Sequence, residues 1–187
     1  MKQIDEWFST PIGSVSTEKD FKLTNYCFEI MSKARSGGVD WVGGPYNTYG
    51  TYDILNDPKF KELNTWVENG VDYFTTTCGY AKTKPVDAWF NIYSKGDYQE
   101  YHVHQNCHFS CIFYLDTKED DAMTVFHRNP MQMTYWAVDE RKNINTNQVY
   151  YEPKKGVLLI FKSDTLHMVE RKETDDIRIT VSYNFRR

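Results

Sequence analysis

The spacing of hydrophobic residues changes near residue 85, from the 3.6-residue period of helices to the two-residue period of strands. Residues 17–34 are predicted to form a first helix, because their apolar residues partly recur at helical intervals and a Ser-Gly-Gly turn follows them. A second helix is predicted to begin at Asp57 and Pro58, which suit a helix cap and a first helical position. Its apolar stripe is formed by Phe60, Leu63, Trp66, Val67, Val71 and Phe74.

Beyond residue 84 the chain consists of short runs rich in β-branched and aromatic residues. After an alternating run at 89–93, the predicted strands cover residues 98–103, 107–115, 122–126, 148–151, 157–161, 167–169 and 177–185. Eight short strands with N-terminal helices predict a mainly β protein folded as a jelly roll, the double-stranded β-helix barrel that cupins also adopt. We expect one domain over residues 1–187, with a helical part over 1–84 that packs on a barrel core over 85–187.

Two segments break these patterns. Residues 38–52 are rich in Gly and Tyr and are predicted to form a loop, whereas residues 129–147 are polar and irregular. The second segment is long for a connection inside a compact domain. We therefore expect it to cross the mouth of the barrel, where a substrate would enter.

The composition narrows the classes of function. The 22 Lys and Arg residues are outnumbered by 26 Asp and Glu residues, so no excess of positive charge exists for a nucleic-acid backbone and we expect no such partner. The four cysteines form no C-x-x-C pair, which favours a reduced, cytoplasmic protein. No signal-peptide pattern and no run of about 18 apolar residues occurs, so we expect neither export nor a membrane.

Candidate metal ligands begin with His102 and His104, an H-x-H pair at the end of a predicted strand. Positions i and i+2 of a strand point to one face, so both imidazoles could reach one metal ion. Such pairs also occur as ordinary polar residues on exposed strands, and a third ligand is therefore needed. His167 is the candidate, because it follows a predicted strand and turn and can begin the returning strand. Three protein ligands leave positions open for small molecules, as in catalytic sites.

Arg178 begins a strand in which Arg178, Thr180, Ser182 and Asn184 are predicted to share one face. An arginine inside a barrel is costly unless it meets an anion, and its planar guanidinium suits a carboxylate held at two points. An internal ion pair with an Asp or Glu of the chain is an equally good explanation of this residue alone.

In their order, these motifs resemble the 2-oxoglutarate- and iron(II)-dependent dioxygenases, in particular a group of small bacterial and phage proteins of that superfamily. The similar segments are 8–11, the Trp-x-Asn strand 89–93 with Gly96, the H-x-H pair 102–104, 110–115, 153–161 with His167, and 178–184. The resemblance implies the jelly-roll fold, iron(II) as metal, 2-oxoglutarate and O2 as cosubstrates, and hydroxylation with release of succinate and CO2.

The resemblance also implies roles for individual residues. His102 looks like the first iron ligand, His104 occupies the slot that usually holds an Asp or Glu, and His167 looks like the distal ligand. The cosubstrate residues implied in the same way are Arg178 for the far carboxylate of 2-oxoglutarate, Tyr114 for the same carboxylate, Thr180 beside it, and Tyr93 with Asn91 lining the pocket. For either tyrosine, packing without ligand contact is an equally good interpretation.

His104 is the main departure from the family pattern, because three neutral imidazoles leave the iron one unit more positive than two histidines and a carboxylate do. Another register would pair His104 with Asn106, but Asn is a poor iron ligand. His108 and His127 could approach the site, although we expect them on the surface or behind the ligands.

Two other functions remain open from the sequence alone. A cupin-like three-histidine metalloenzyme would not use 2-oxoglutarate, and a non-catalytic jelly roll would bind neither metal nor cosubstrate. The substrate is undetermined and could be a small molecule or a peptide. We expect a homodimer only because twofold pairs are the commonest assemblies.

Overall fold

The computed structural model describes residue 3 and residues 9–37, 43–132 and 139–187. The helices are α1 (Thr24–Met31) and α2 (Lys61–Thr77), with short 3-10 turns at Pro130–Gln132 and Asn143–Asn145. The strands are β1 (Ile12–Ser16), β2 (Tyr46–Asn47), β3 (Lys84–Tyr93), β4 (Gln99–His102), β5 (Phe109–Asp116), β6 (Thr124–His127), β7 (Gln148–Tyr151), β8 (Val157–Lys162), β9 (His167–Val169) and β10 (Arg178–Arg186).

These strands form two antiparallel sheets that face each other. The six-stranded sheet has the order β1-β8-β5-β10-β3-β2, and the four-stranded sheet has the order β4-β9-β6-β7. Residues of both sheets meet in one interior cluster, in which Phe126 of β6 packs with Tyr114 of β5 and Phe161 of β8. The predicted fold class, a mainly β jelly roll with N-terminal helices, is confirmed, although the strands form two sheets and not one closed ladder.

The helices cover the outer face of the six-stranded sheet. Leu63, Val67, Val71 and Phe74 of α2 are buried against apolar residues of that sheet, as their helical spacing predicts. The helix begins later than predicted, at Lys61. Asp57 instead holds the preceding turn, where its Oδ1 accepts the backbone N–H of Lys59 at 2.8 Å.

The first helix is much shorter than the predicted span of 17–34, because side chains before it compete for the backbone. The N–H of Lys19 donates to Thr17 Oγ1 at 3.1 Å, and the N–H of Lys22 donates to Asp20 Oδ1 at 2.9 Å. Such local turns replace helical hydrogen bonds. Lys22 also has a φ of 55°, which no helix accommodates.

Alternation along β10 separates the two faces of the large sheet. Ile179, Val181 and Tyr183 join the core beneath the helices, whereas Arg178 contacts the interior residues Tyr93 and Tyr114. The polar row of this strand, which consists of Arg178, Thr180, Ser182 and Asn184, therefore faces the interior as predicted. In the part of the chain that the structure describes, no helix has the length and apolarity needed to span a membrane.

Both irregular segments are described only in part. Residues 38–42 of the predicted loop and residues 133–138 of the predicted excursion lie outside the described residues, as do residues 4–8. After the second gap, the guanidinium of Arg128 donates to the carbonyls of Asn143, Ile144 and Thr146, at 3.2, 2.8 and 2.9 Å. These bonds tie the returning chain to the end of β6.

Candidate functional site

Three histidines converge between the sheets. His102 ends β4, His167 begins β9, and the two residues are paired across these antiparallel strands. His104 follows two positions after β4 ends. One ligand atom from each histidine lies within 4.8 Å of the others, and His167 is only 2% exposed. The three residues predicted as metal ligands are therefore brought together.

The route by which they converge differs from the prediction. Because β4 ends at His102, His104 is not on the next rung of the same strand. Its position is set by its backbone N–H, which donates to the carbonyl of Ser163 at 2.9 Å. Ser163 lies in the turn between β8 and β9, so this bond places His104 beside the strand that carries His167.

Each of the three imidazoles has Nδ1 against a carbonyl oxygen. The distances are 2.7 Å from His102 to the Glu100 carbonyl, 2.9 Å from His167 to the Thr165 carbonyl and 2.7 Å from His104 to Asn184 Oδ1. A carbonyl oxygen only accepts hydrogen bonds, so Nδ1 carries the proton and the lone pair of each ring is on Nε2. Metal-binding histidines are oriented in this way, by donation from the second ring nitrogen.

Burial keeps these imidazoles neutral. Desolvation lowers the pKa of His102 against the opposing effect of the Glu100 carbonyl. It lowers the pKa of His104 to about 4, helped by the nearby His102 and opposed by Asn184. The pKa of His167 is held well below its usual value by burial and then by the other two histidines. A neutral imidazole is the form that binds a metal ion.

Aromatic side chains pack around the cluster. Trp89 of β3 stacks on His104, with ring centroids 5.6 Å apart and planes at 26°. Phe161 meets His167 edge-on at 4.7 Å, and Tyr49 covers Trp89 at 5.1 Å. Trp89 was not among the predicted site residues, although its alternation with Asn91 and Tyr93 places it on the interior face.

Arg178 is fully buried and begins β10, the strand on which Asn184 contacts His104. One terminal nitrogen of its guanidinium donates to the carbonyl of Ala122, and the other lies 3.3 Å from Thr124 Oγ1. Its Nε has no hydrogen-bond partner among the described residues. The rings of Tyr93 and Tyr114 flank it, with their centroids 4.9 and 5.3 Å from the central carbon of the guanidinium.

No carboxylate of the described ranges forms an ion pair with Arg178. Asp121, next to Ala122, is buried but already binds the ammonium of Lys172, which is also fully buried, at 2.8 Å. The internal ion pair considered for Arg178 is thus not found in the described part of the chain. A buried cation without a counter-ion is costly, so this position favours an external anion.

The other predicted pocket residues surround Arg178 or lie beside it on the sheet. Tyr114 donates to Thr124 Oγ1 at 2.7 Å, and Tyr93 donates to Gln99 Oε1 at 2.6 Å. Burial raises the pKa of both phenols and the cation of Arg178 partly offsets this, so both stay protonated near neutral pH.

On β3, Asn91 lies between Tyr93, which flanks Arg178, and Trp89, which stacks on His104. Its Nδ2 donates to Thr180 Oγ1 at 3.2 Å and to Ser182 Oγ at 3.3 Å. Its Oδ1 is buried and has no partner among the described residues. A polar group from a bound molecule would satisfy this oxygen.

The remaining candidates lie elsewhere. His127 holds its Nδ1 against the carbonyl of Arg128 at 2.7 Å, and the backbone N–H of Arg187 lies 3.4 Å from His108 Nδ1. Neither joins the cluster of three histidines. Asn106 is exposed in a turn, with a φ of 62°, which removes support from the alternative pair with His104.

Comparison with known proteins gives a consistent picture. The sequence profile of one family, described as "Putative 2OG-Fe(II) oxygenase", matches residues 87–184, which is more than half of the chain. This range contains the three histidines, Arg178 and the predicted pocket residues Asn91, Tyr93, Tyr114 and Thr180. No curated protein sequence matches the chain significantly.

Several solved structures share the fold. A Pseudomonas putida prolyl-4-hydroxylase is 14% identical with a TM-score of 0.65, over 95% of this chain and 94% of its own. The non-heme alpha-ketoglutarate-dependent carbocyclase SnoK of nogalamycin biosynthesis is 11% identical with a TM-score of 0.68, over 95% and 79%. The viral collagen prolyl hydroxylase of Paramecium Bursaria Chlorella virus-1 is 11% identical with a TM-score of 0.59, over 93% and 94%.

Proposed function

The chain belongs to the 2-oxoglutarate- and iron(II)-dependent oxygenase family whose profile it matches, and on that premise we propose that it hydroxylates a small-molecule or peptide substrate. One atom of O2 would enter the substrate as a hydroxyl group. The other would enter succinate, as 2-oxoglutarate loses CO2. Iron(II) would be held by His102, His104 and His167, and the far carboxylate of 2-oxoglutarate by Arg178.

The donor set suits a divalent transition metal. Imidazole nitrogen is a good ligand for iron, and the three rings have the tautomer that leaves the Nε2 lone pair for a metal. Three protein ligands leave coordination positions for a chelating keto acid and for O2. Bound iron would supply the activation of O2. The chain's own part would be to hold the metal and the cosubstrate in the correct position relative to each other.

The observation that carries the proposal is the buried Arg178, which has no carboxylate partner among the described residues and lies on the strand that contacts His104. A dicarboxylate that reached from the metal to this guanidinium would supply the missing counter-ion. The Tyr114 hydroxyl, which donates to Thr124 Oγ1 in the structure, would turn to donate a hydrogen bond to the same carboxylate, and Thr180 would line the pocket beside it. Tyr93 and Asn91 would complete the pocket wall.

Charge distinguishes this centre from one with a carboxylate ligand. Three neutral histidines leave iron(II) with its full charge of about +2, which the two carboxylates of 2-oxoglutarate would offset. The charge of Arg178 then remains, whereas a centre with an Asp or Glu ligand would be neutral. This difference supports a centre that binds its dianionic cosubstrate strongly.

An apolar cluster in the interior between the sheets would keep water from the reaction. Ile112, Leu159, Phe126 and Phe161 form an interior cluster with Tyr114. Ile112, Leu159 and Phe161 lie on the same sheet as β10, and Phe126 faces them from the four-stranded sheet. A dry site limits side reactions of the activated oxygen.

The proposal is tested by anaerobic titration of metal-free protein with iron(II) and then 2-oxoglutarate. A visible charge-transfer band on addition of the keto acid, weakened in Arg178→Met, would support it. Iron binding without a band would favour the three-histidine enzyme that does not use 2-oxoglutarate. Absence of metal binding would favour a non-catalytic jelly roll and contradict the proposal.

Prolyl peptides are the first substrates to test, because two proteins of similar fold are named as prolyl hydroxylases. The measurement is succinate release with and without peptide, together with the mass of the peptide. A gain of one oxygen atom, coupled to succinate, would identify the peptide as a substrate. Succinate release that no peptide stimulates would direct the search to small molecules.

A further inference from the structure

His104 is held differently from the other two histidines. The rings of His102 and His167 are anchored by backbone carbonyls two residues before them in the chain. His104 is anchored by a side chain, Asn184 Oδ1 on β10, which is 80 residues away in sequence and 2.7 Å from its Nδ1. The orientation of this ring therefore depends on a residue that can be substituted without changing the ligand itself.

Asn184 is in turn fixed by buried neighbours. It is 5% exposed and pairs with Ser110 across β10 and β5. Ser110 Oγ donates to Asn184 Oδ1 at 2.8 Å and lies 2.8 Å from Ser163 Oγ. The carbonyl of Ser163 accepts the backbone N–H of His104 at 2.9 Å. The four residues form a closed ring of hydrogen bonds that holds both the backbone and the imidazole of His104.

We propose that Asn184 is the positioning residue that makes His104 a metal ligand through Nε2. The inference rests on the proposed metal centre and concerns the position where relatives usually carry an Asp or Glu. Asn184 Oδ1 accepts hydrogen bonds from Ser110 Oγ and from His104 Nδ1, and the second bond keeps the proton of His104 on Nδ1. Trp89 stacks on the ring from the side, so rotation of the imidazole is opposed by packing as well as by the hydrogen bond.

The amide of Asn184 is suited to this task because it adds no charge. It accepts the hydrogen bond from Nδ1–H and leaves the imidazole neutral. An aspartate at this position would accept the same hydrogen bond and make the imidazole a stronger donor to the metal. An apolar residue of similar size would remove the acceptor and leave Nδ1 without its anchor. The acceptor oxygen, and not the volume of the side chain, is therefore the property under test.

The test uses cobalt(II) as the probe metal in the full-length chain. The NMR spectrum of the cobalt-loaded protein is expected to show three shifted, solvent-exchangeable resonances, one from each Nδ1–H. In Asn184→Val, the resonance that His104→Ala also removes should be lost. Cobalt affinity should fall about 10- to 100-fold, the usual effect of removing the partner of a ligating histidine. Asn184→Asp should keep the resonance and at least the wild-type affinity.

Two further variants keep the test decisive. Ser110→Ala removes one bond of the ring and should weaken cobalt binding less than Asn184→Val, which provides a result if the valine variant fails to fold. Ser182→Ala, on the same face of β10, should leave cobalt affinity unchanged.

Four outcomes would overturn the inference or separate it from the proposed function. Wild-type resonances and affinity in Asn184→Val would overturn it, as would equal weakening in the valine and aspartate variants. No cobalt binding by the wild-type chain would overturn the inference and the proposed function together. Three resonances without a keto acid band would leave Asn184 as positioning residue and reject only the oxygenase.

Discussion

His102 and His167 lie directly opposite each other on the paired strands β4 and β9, with their ring centroids 4.1 Å apart. Their positions are fixed by the sheet, and each ring is anchored by the backbone carbonyl two residues before it in the chain. Strand pairing thus sets the positions of two of the three histidines. Only His104 needs support from elsewhere in the fold.

Substitution His167→Ala is expected to abolish binding of one metal ion per chain, because the remaining two imidazoles cannot enclose the ion. The measurement is metal content after loading with iron(II) and removal of excess. His127→Ala is the matched control, since His127 lies outside the cluster, and it should retain the metal. Full metal content in the His167 variant would reject the ligand assignment.

Arg178→Met is expected to weaken 2-oxoglutarate binding by at least about 30-fold, which corresponds to roughly 2 kcal/mol for the loss of a buried charge pair. Iron binding should be unchanged. The metal-free variant should be as stable as the wild type or more stable, because the buried guanidinium has no counter-ion in the described chain. Loss of iron together with 2-oxoglutarate would indicate unfolding and contradict a role confined to the cosubstrate.

Tyr114→Phe is expected to lower 2-oxoglutarate affinity by about tenfold, the effect of one hydrogen bond of about 1.5 kcal/mol to a charged group. Tyr183→Phe is the control. Tyr183 is equally buried but lies on the opposite face of the sheet, where its hydroxyl donates to Asn64 Oδ1 at 2.9 Å. This variant should lose stability in urea and keep its cosubstrate affinity. Equal affinities for Tyr114→Phe and the wild type would assign Tyr114 to packing only.

Asp57→Asn is expected to destabilise the fold at pH 7 by about 1–3 kcal/mol, because Asp57 accepts hydrogen bonds from Tyr26 and Tyr52 at 2.9 and 2.7 Å. Burial alone would raise the pKa of Asp57, but bonds from Tyr52, the Lys59 amide and Tyr26 outweigh it and lower the pKa. A lowered pKa stabilises the fold above the unfolded value of about 3.9, and that stability is lost as the pH falls.

The difference between wild type and Asp57→Asn should therefore stay constant from pH 7 to about pH 5 and shrink as the pH falls through about 4. Urea unfolding of both proteins across this range measures it. A difference that grows toward acid would show that the carboxylate does not stabilise the fold.

Much of the site could be predicted because strand alternation is strict. The period of two placed Arg178 on the interior face together with Thr180 and Asn184, and the structure has them there. The three histidines followed from ligand type and order along the chain. These features depend on local pattern, which the sequence displays directly.

The rest depends on contacts that the sequence does not display. Nothing in the pattern shows that His104 leaves the strand and is held by Asn184, since the two are 80 residues apart. That none of the described carboxylates pairs with Arg178 could not be foreseen in a chain with 26 acidic residues. The first helix was overestimated because turns at Thr17 and Asp20 compete with an otherwise helical pattern.

The polar row on β10 links two parts of the site mechanically. Arg178 and Asn184 stand six positions apart on one strand, a fixed span of about 20 Å. If β10 slipped by one residue against its neighbours, both side chains would turn outward together, and Ile179 and Tyr183 would enter the interior. Cosubstrate anchoring and metal geometry would then fail in the same event. The register of a single strand thus couples the two parts of the site, so a chain with β10 in the shifted register would bind 2-oxoglutarate and the metal ion more weakly at the same time.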